Sequence, residues 1–254
     1  MKNFLNRIYN DYFMKSRLGE YENMLDIFIK NGYQFISIKD YKLLETEGKY
    51  IMIRHDIDTD VPIANKMFEI EKKLKIKSTF YFRLCTMKKE LIKEIYEYGS
   101  EVGYHYEEIA TYCKKNRNIS VNFVNERLDD IKKNFIENVN FFEEENNIKI
   151  FSVASHGDFV NRKLGLTNCI LMDNDIRKKT GINIEAYDEK IEGKIDFRSC
   201  DKMYPYFWIK DPKEAIEKQC QKVLLLIHTR WWGRAPLSRL KEDFFRIIES
   251  IRYR

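Results

Sequence analysis

The sequence predicts an α/β fold in which parallel strands alternate with outer helices. Short apolar runs that suit strands alternate along the chain with segments of helical periodicity. The length of 254 residues fits one α/β barrel or two modest domains, and either can bury a sizeable core. Each histidine also follows a short apolar run: His55, His105, His156 and His228. Because the C-terminal ends of parallel strands meet on one face, these distant side chains are predicted to share a pocket.

Residues 1–45 are predicted to form an N-terminal helical docking element ahead of the main fold. Its helix has apolar residues spaced by three and four positions, namely Tyr21, Met24, Leu25, Phe28 and Ile29. Gly32 ends this helix, and an extended segment over residues 33–38 follows it.

Strands and helices alternate most clearly between residues 50 and 104. A strand that ends at Arg54 precedes a helix with apolar positions Ile63, Met67, Ile70 and Leu74. A strand over residues 78–83, a helix over residues 88–98 ended by Gly99, and a strand over residues 101–104 follow.

The second half of the chain gives a weaker pattern. Ser120 is predicted to cap a long helix that runs to Asn146 and precedes a strand over residues 150–154. Short strands separated by loops are predicted over residues 169–172, 183–186 and 195–197. The last elements are a helix over residues 213–220, a strand over residues 223–227 and a closing helix over residues 237–253. Without repeats or a linker, residues 1–254 are predicted to be one domain.

Composition limits the classes of partner. The net charge of +5 is spread over Lys-rich helices in which Glu and Asp are interleaved, which is typical of solvated helix faces and excludes nucleic acid as a partner. The five cysteines are widely spaced and form no C-x-x-C pair, so we expect reduced thiols. The first residues lack the long apolar run of a signal peptide or membrane anchor, so we expect a cytoplasmic protein with no integral membrane segment.

The segment Arg54-His55-Asp56-Ile57-Asp58-Thr59-Asp60 carries the first chemical motif. Asp56 and Asp58 are two residues apart at a strand end and point to the same side, so one can bind a metal while the other accepts a proton from water. By the same alternation, His55 faces the other side, in the core or behind the site. Asp60 is the better candidate for a helix cap, with Pro62 in the first turn of the helix.

Three segments together resemble a known family. RHDID, followed by a helix and STFYF, resembles the opening of the NodB-type polysaccharide deacetylases. EVGYH is similar to their E-I-G-x-H segment and LLLIHT to their closing L-x-I-H-P segment, so the resemblance spans residues 50–229. It implies a distorted (β/α) barrel with about seven parallel strands and a divalent metal, zinc being the expected one, that serves amide hydrolysis of N-acetyl sugars.

Carried over by position, the resemblance implies Asp56 as general base, Asp58 and His105 as metal ligands, and His228 as general acid. Ile57 separates two aspartates that are adjacent in the family, so the assignment of base and ligand between Asp56 and Asp58 stays open.

The second metal-binding histidine of the family is absent, as is its arginine-proline motif. A three-ligand zinc site then needs a substitute ligand. Glu107, two residues beyond His105, is one candidate, and His156 from another strand end is the other. These departures are typical of a divergent branch of the family.

Aromatic and basic residues near His228 suggest a sugar substrate. Trp231 and Trp232 offer apolar planes on which a pyranose ring can pack, and at least one is expected to line the pocket. Arg230 and Arg234 could bind a phosphate or carboxylate, which points to a nucleotide-linked or lipid-linked sugar.

Residues outside these motifs could assist. Arg198, with nearby Asp201, could bind substrate hydroxyls or orient the base.

The sequence therefore predicts a metal-dependent hydrolase that removes an N-acyl group, N-acetyl in the first instance, from a sugar in surface-glycan or glycoconjugate biosynthesis. Two alternatives stay open: a non-catalytic barrel that binds a glycan or sugar nucleotide, and a different metal hydrolase such as a phosphoesterase. The sequence does not give the glycan, the acyl group or the oligomeric state.

Overall fold

The computed structural model describes residues 2–236, 239, 240, 244 and 248, and the chain forms two compact units. Unit 1 contains residues 1–80 and 193–254, and unit 2 contains residues 81–192. The strands are β1 (Gln34–Ile36), β2 (Tyr50–Ile57), β3 (Thr79–Phe82), β4 (Glu101–Tyr106), β5 (Ser152–Ser155), β6 (Ile184–Glu185), β7 (Phe197–Cys200) and β8 (Lys222–His228). The helices are α1 (Lys2–Ile8), α2 (Leu18–Lys30), α3 (Val61–Lys73), α4 (Lys89–Tyr98), α5 (Glu108–Asn116), α6 (Val121–Glu126), α7 (Leu128–Asn146), α8 (Phe159–Leu164), α9 (Asn174–Thr180), α10 (Glu189–Glu192) and α11 (Lys213–Glu217). The boundary between the units falls within β3.

Unit 1 is built on parallel strand pairs. Both β1 and β8 pair with β2, and β7 pairs with β8. Every residue of β2 is buried, as is typical of a parallel strand covered on both faces. The core of unit 1 includes Leu25 and Phe28 of α2, Met67 of α3, and Ile51 and Ile53 of β2.

Unit 2 pairs β4 with β5 and β5 with β6, again in parallel. The buried face of α7 presents Phe135, whose ring lies 5.0 Å from that of Tyr106 on β4. Gly103 has no room for a side chain, because an added Cβ would lie 2.4 Å from the ring of Tyr81 and 2.6 Å from the carbonyl oxygen of Ser152. The glycine therefore lets β4 and β5 pair beneath that ring.

These pairings confirm the prediction of an α/β protein with parallel strands. Gly99 has the left-handed φ of +94° expected after α4, and the Ser120 hydroxyl accepts a hydrogen bond from the Phe123 amide at 3.3 Å, so both predicted caps are confirmed. All five cysteines are described and carry free thiols, as predicted. Within the described chain, no helix combines the length and apolarity needed to cross a bilayer.

Several element predictions are wrong. Residues 169–172 fall largely in a 3-10 helix, Asn168–Leu171, instead of a strand. A short apolar run does not distinguish the two by periodicity, and here the Asn168 side chain fixes the segment by accepting from the Ile109 amide at 3.1 Å. The predicted long helix is divided at Arg127 into α6 and α7. Where loops were expected, α8 and α9 begin at Asp158 and Asp173, whose side chains cap them.

The predictions at the chain ends and at Asp60 have different outcomes. The extended segment predicted over residues 33–38 is confirmed, because β1 forms there and pairs with β2. Asp60 occupies the position before α3 but does not cap it with its side chain, since that carboxylate accepts from the Arg239 guanidinium at 3.2 Å. The predicted closing helix 237–253 lies outside the described residues except for 239, 240, 244 and 248, which are helical.

Candidate functional site

The C-terminal ends of β2 and β8 meet in unit 1. Their parallel register places Asp56 opposite His228, although 172 positions separate these residues in the sequence. A cavity of about 170 Å³ lies here, and Asp56, Asp58, His228, Arg230 and Trp231 are among the residues that line it. The predicted gathering is therefore present only in part within unit 1: Asp56, Asp58 and His228 share this cavity, and His228 is the one histidine of the four that lines it.

Asp56 is held by Arg54. The Arg54 Nε donates to Oδ1 and its Nη2 donates to Oδ2, each at 2.7 Å, and the two side chains are only 3% and 1% exposed. Residues two apart in a strand share a face, which is why this pair forms. The two-pronged contact balances the carboxylate charge away from water and fixes its orientation towards the cavity.

Asp58 follows the last residue of β2 and is half-buried in the same cavity. Its negative charge acts on His228 and contributes to raising the pKa of that imidazole. Asp58 and His228 line the same cavity, so both side chains can contact one bound molecule.

His228 is positioned by Asp201, the residue that follows β7. The imidazole Nδ1 lies 2.8 Å from Oδ1 of Asp201, and the His228 backbone amide donates to Oδ2 at 2.8 Å. Trp232 donates its indole Nε1 hydrogen to the same Oδ2 at 2.8 Å. Asp201 is thus fully engaged, and it orients the ring so that Nε2 is the nitrogen left for chemistry.

The same contacts decide the charge of His228. Burial alone would lower its pKa, but the carboxylate of Asp201, assisted by Cys200 and Asp58, raises the pKa well above the usual value for histidine. The imidazole is therefore cationic at neutral pH, with a proton on Nε2. A group in that state can donate a proton or stabilise a negative oxygen.

Cys200, Asp201 and His228 also offer sulfur, oxygen and nitrogen atoms within 4.8 Å of one another, a spacing that a metal could span. Both oxygens of Asp201 already accept hydrogen bonds, and the Cys200 thiol donates to the Asp201 backbone carbonyl at 3.3 Å. We therefore interpret this group as a hydrogen-bond network that positions His228.

The predicted substrate-binding residues have different surroundings. Trp231 is half-buried and lines the cavity, whereas Trp232 is 1% exposed and packs in the core. Arg230 also lines the cavity, but its Nη2 donates to the buried Asp11 at 2.7 Å. Burial raises the pKa of Asp11, but Arg230, Asn10 and Arg239 together lower it overall. Arg198 lies half-buried in β7 and is not among the described residues that line the cavity.

Unit 2 holds the predicted ligands His105 and His156. His105 lies in β4, is 2% exposed, and has its Nδ1 2.8 Å from the carbonyl oxygen of Ala154. A carbonyl only accepts, so Nδ1 carries the hydrogen and the lone pair of the neutral ring is on Nε2. The ring of His156 lies 5.1 Å from that of His105, nearly perpendicular to it.

Glu107, the alternative ligand, is occupied by Arg83. The Arg83 Nη2 donates to both carboxylate oxygens, at 2.9 and 2.7 Å, and the Nδ1 of His156 lies 3.3 Å from Oε2. Burial raises the pKa of Glu107, but His156 and Arg83 together lower it to about 2. Between the two alternatives, these contacts favour His156 as the ligand, with Glu107 behind it.

The chemistry of unit 2 fits a transition metal. A histidine whose Nδ1 donates to a backbone carbonyl, with its lone pair on Nε2, has the arrangement seen at protein metal centres. His105 has that arrangement, and the Nδ1 of His156 lies within ion-pair distance of Glu107. The participation of Asp58 as a further ligand stays a prediction from the sequence.

His55 belongs to the core, on the opposite side of β2 from Asp56. It is fully buried, its Nε2 lies 2.6 Å from Oε1 of Glu71, and its ring stacks on Phe80 with centroids 4.3 Å apart. Tyr21 and Ser78 also donate to Glu71. This network holds α2, α3 and β2 together and is separate from the cavity.

Three participants were missed in the sequence. Arg54 could have been found, because it lies two residues before Asp56 on the same strand face. Arg83 is the last residue of the strand predicted over residues 78–83, and only the folded chain shows that it meets Glu107. Asp11 lies in a helical segment near the N-terminus and gives no sequence signal for its contact with Arg230.

The chain matches no protein-family model and no curated protein. The function is therefore argued from the residues of the site.

Proposed function

We propose that this protein is a metal-dependent hydrolase that removes an N-acyl group, in the first instance N-acetyl, from a sugar. The observation that supports the proposal best is the pairing of Asp56 with His228 across β2 and β8, with Asp58 in the same cavity. A carboxylate and a cationic imidazole on one cavity are the base and acid that amide hydrolysis requires.

Each side chain has a defined task. Asp56, fixed by Arg54, accepts a proton from the attacking water. His228 holds a proton on Nε2, supported by Asp201 on the other side of the ring, and gives it to the departing amine. Trp231 provides the apolar wall against which the sugar or the acyl methyl group packs.

A divalent metal, for which zinc is the choice, would supply Lewis acidity to the amide carbonyl. His105 and His156 are the nitrogen ligands in this proposal, and Asp58 is the carboxylate ligand that the sequence predicts. With the metal assigned to Asp58, the role of base falls to Asp56. The finer fold prediction, a distorted (β/α) barrel like that of the NodB-type deacetylases, belongs to this proposal as well.

The proposal is tested by acetate release from N-acetylated sugars, with zinc content measured on the same samples. We expect Asp56→Asn to lower the rate by about 10² to 10⁴ while its zinc content is kept, because the change removes the base only. Asp26→Asn is the matched control, since Asp26 lies on α2 in an ion pair with Lys30 and does not line the cavity.

Other outcomes would replace the proposal. Zinc binding without release of acetate, together with cleavage of a phosphoester, would identify a phosphoesterase. Sugar binding without turnover of any bond would identify a binding protein. Equal acetate release by the wild type and Asp56→Asn would remove Asp56 from the mechanism.

A further inference from the structure

Unit 1 contains a second and larger cavity, of about 420 Å³. Trp232 lines it, whereas the adjacent Trp231 lines the smaller cavity beside Asp56 and His228. A volume of this size is within the range of small-molecule sites, whereas about 170 Å³ is below it. The smaller cavity can therefore take a reacting group, and the larger one can take a whole ring.

Arg17 is the central polar group of the larger cavity. Its side chain is 7% exposed, and its guanidinium lies between the rings of Phe207 and Trp232, at 3.9 and 4.8 Å from their centroids. Its Nε and Nη2 donate to one oxygen of Glu20, at 2.9 and 2.7 Å. Its Nη1 is buried and has no hydrogen-bond partner among the described residues. A group so enclosed is out of reach of a molecule in the cavity, which meets instead the aromatic rings packed on Arg17 and the carboxylate of Glu20.

The charges around the cavity favour a neutral ligand. Two cationic residues, Arg17 and Lys213, are matched by two anionic residues, Glu20 and Asp211. Since Glu20 already balances Arg17, a second anion would be repelled by a carboxylate, whereas a hydroxyl group could donate a hydrogen bond to that carboxylate.

The remaining walls suit a carbohydrate. Tyr206, Phe207 and Trp208 present a run of aromatic rings, and Tyr206 is 71% exposed. Phe207 has φ +60°, a conformation uncommon for an aromatic residue, and its ring lies on Arg17. The exposed carboxylates of Glu20 and Asp211 can accept hydrogen bonds from hydroxyl groups. A pyranose has apolar faces and a rim of hydroxyl groups. The aromatic rings of this cavity can pack on such a face, and the carboxylates at its edge can accept hydrogen bonds from the hydroxyl groups.

We infer that this cavity binds a neutral sugar ring of a glycan. Its hydroxyl groups donate to the exposed carboxylates of Glu20 and Asp211, and one face packs on Tyr206 and Trp208. The inference rests on the proposed function only in the choice of N-acetylated probes, because binding here requires no turnover.

The three tryptophans allow the test to be read by position. Trp208, Trp231 and Trp232 are the only tryptophans in the sequence, so nitrogen-15 labelling of the indoles gives three NMR signals. The protein carries Asp56→Asn so that no probe is consumed, and the probes are N-acetylglucosamine, N-acetylgalactosamine and N-acetylmannosamine, each titrated to tens of millimolar. We expect at least one of them to shift the signals of Trp208 and Trp232 with a saturable dependence.

Two variants locate the site. Tyr206→Ala should weaken this binding by roughly three- to tenfold, the range for one lost aromatic packing contact. Tyr96→Ala, at an exposed tyrosine of α4 in unit 2, is the matched control and should leave it unchanged. Asp211→Asn removes a charged acceptor from the edge of the cavity, and it should weaken binding while the spectrum of the free protein stays that of a folded chain.

The outcomes separate this inference from the proposed function. A saturable shift of Trp208 supports the sugar site even if no acetate is ever released from any substrate. A shift confined to Trp231 would place the sugar in the smaller cavity and overturn the inference while leaving the proposed function intact. The absence of a shift at Trp208 with all three sugars, or binding that Tyr206→Ala does not alter, would also overturn it.

Discussion

Replacing Glu108 by glutamine should stabilise this protein at alkaline pH and not at acid pH. Glu108 is 3% exposed at the start of α5, and its Oε1 accepts from the Tyr104 hydroxyl at 2.7 Å and from the Asn138 amide at 3.1 Å. Burial is the main cause that raises its pKa from 4.5 to about 7, and the neighbouring charge of Glu107 adds to it. The two hydrogen bonds lower the pKa by less than burial raises it.

The direction in which the stability changes with pH follows from the raised pKa of Glu108. A pKa that is higher in the folded than in the unfolded chain means that the folded protein holds the proton more tightly. The stabilisation is fully present below pH 4.5 and is lost as the pH rises to about 7. A shift of about 2.5 pH units, at about 1.36 kcal/mol each, sets an upper limit of about 3 kcal/mol. Glu108→Gln is neutral at every pH and should escape this loss.

The measurement is urea unfolding of the metal-free protein at about pH 4.5 and about pH 8, on either side of the titration. Circular dichroism is the suitable probe, because all three tryptophans lie in unit 1 and Glu108 lies in unit 2. We expect wild type and Glu108→Gln to have similar free energies of unfolding at the lower pH, and the variant to be more stable by up to about 3 kcal/mol at the higher pH.

The adjacent Glu107 provides a control, because its pKa is shifted in the opposite direction. Its pKa is lowered to about 2, so it stabilises the fold above pH 4.5, and that contribution is lost as the pH falls from 4.5 towards 2. Glu107→Gln should therefore be less stable than the wild type at neutral pH. A Glu108→Gln protein that gains nothing between the lower and the higher pH would refute the account of its buried carboxyl.

Three further predictions concern packing, proton chemistry and metal. Gly103→Ala should lower the free energy of unfolding by about 1 to 3 kcal/mol, because the added Cβ would lie 2.4 Å from the Tyr81 ring. The control Gly157→Ala should be nearly neutral, because a Cβ there meets nothing within 4 Å. Equal urea midpoints for the two variants would contradict this prediction. Asp201→Asn should lower the pKa of His228, read from the pH dependence of its imidazole NMR signals, and an unchanged titration would show that Asp201 does not control the ring. Removal of the metal by a chelator should abolish acetate release, and added zinc should restore it. His105→Ala should not retain stoichiometric zinc, and full zinc content in that variant would exclude His105 as a ligand.

The elements that the sequence predicted well are those with long and regular patterns. The helical spacing around Leu25 and the apolar run before Arg54 both correspond to elements of the structure, α2 and β2, although β2 continues to Ile57. The short run over residues 169–172 was misassigned, because four apolar residues fit a strand or a helical turn equally well. There the choice depends on a contact between Asn168 and the Ile109 amide, far away in the sequence.

At the candidate site, too, local patterns identified the residues and tertiary contacts decided their surroundings. Residue type and local spacing identified Asp56, Asp58 and His228 as acids and imidazole at strand ends. Whether Asp56 is available to substrate or held by a cation, and which nitrogen of His228 is exposed, depends on Arg54 and Asp201. Both contacts are set by side-chain direction and by the strand register.

The sequence by itself determined the class of fold, the strand ends that carry reactive groups and the kind of chemistry these groups could perform, because these properties depend on residue type and on periodicity along one strand or helix. Only the tertiary structure decided the partners: His228 beside Asp56 and against Asp201, Glu107 against Arg83, and Arg17 between two aromatic rings. The physical reason is that charge state and orientation depend on distances of a few ångströms between side chains. In this chain, those distances are set by the register of strands that are far apart in sequence.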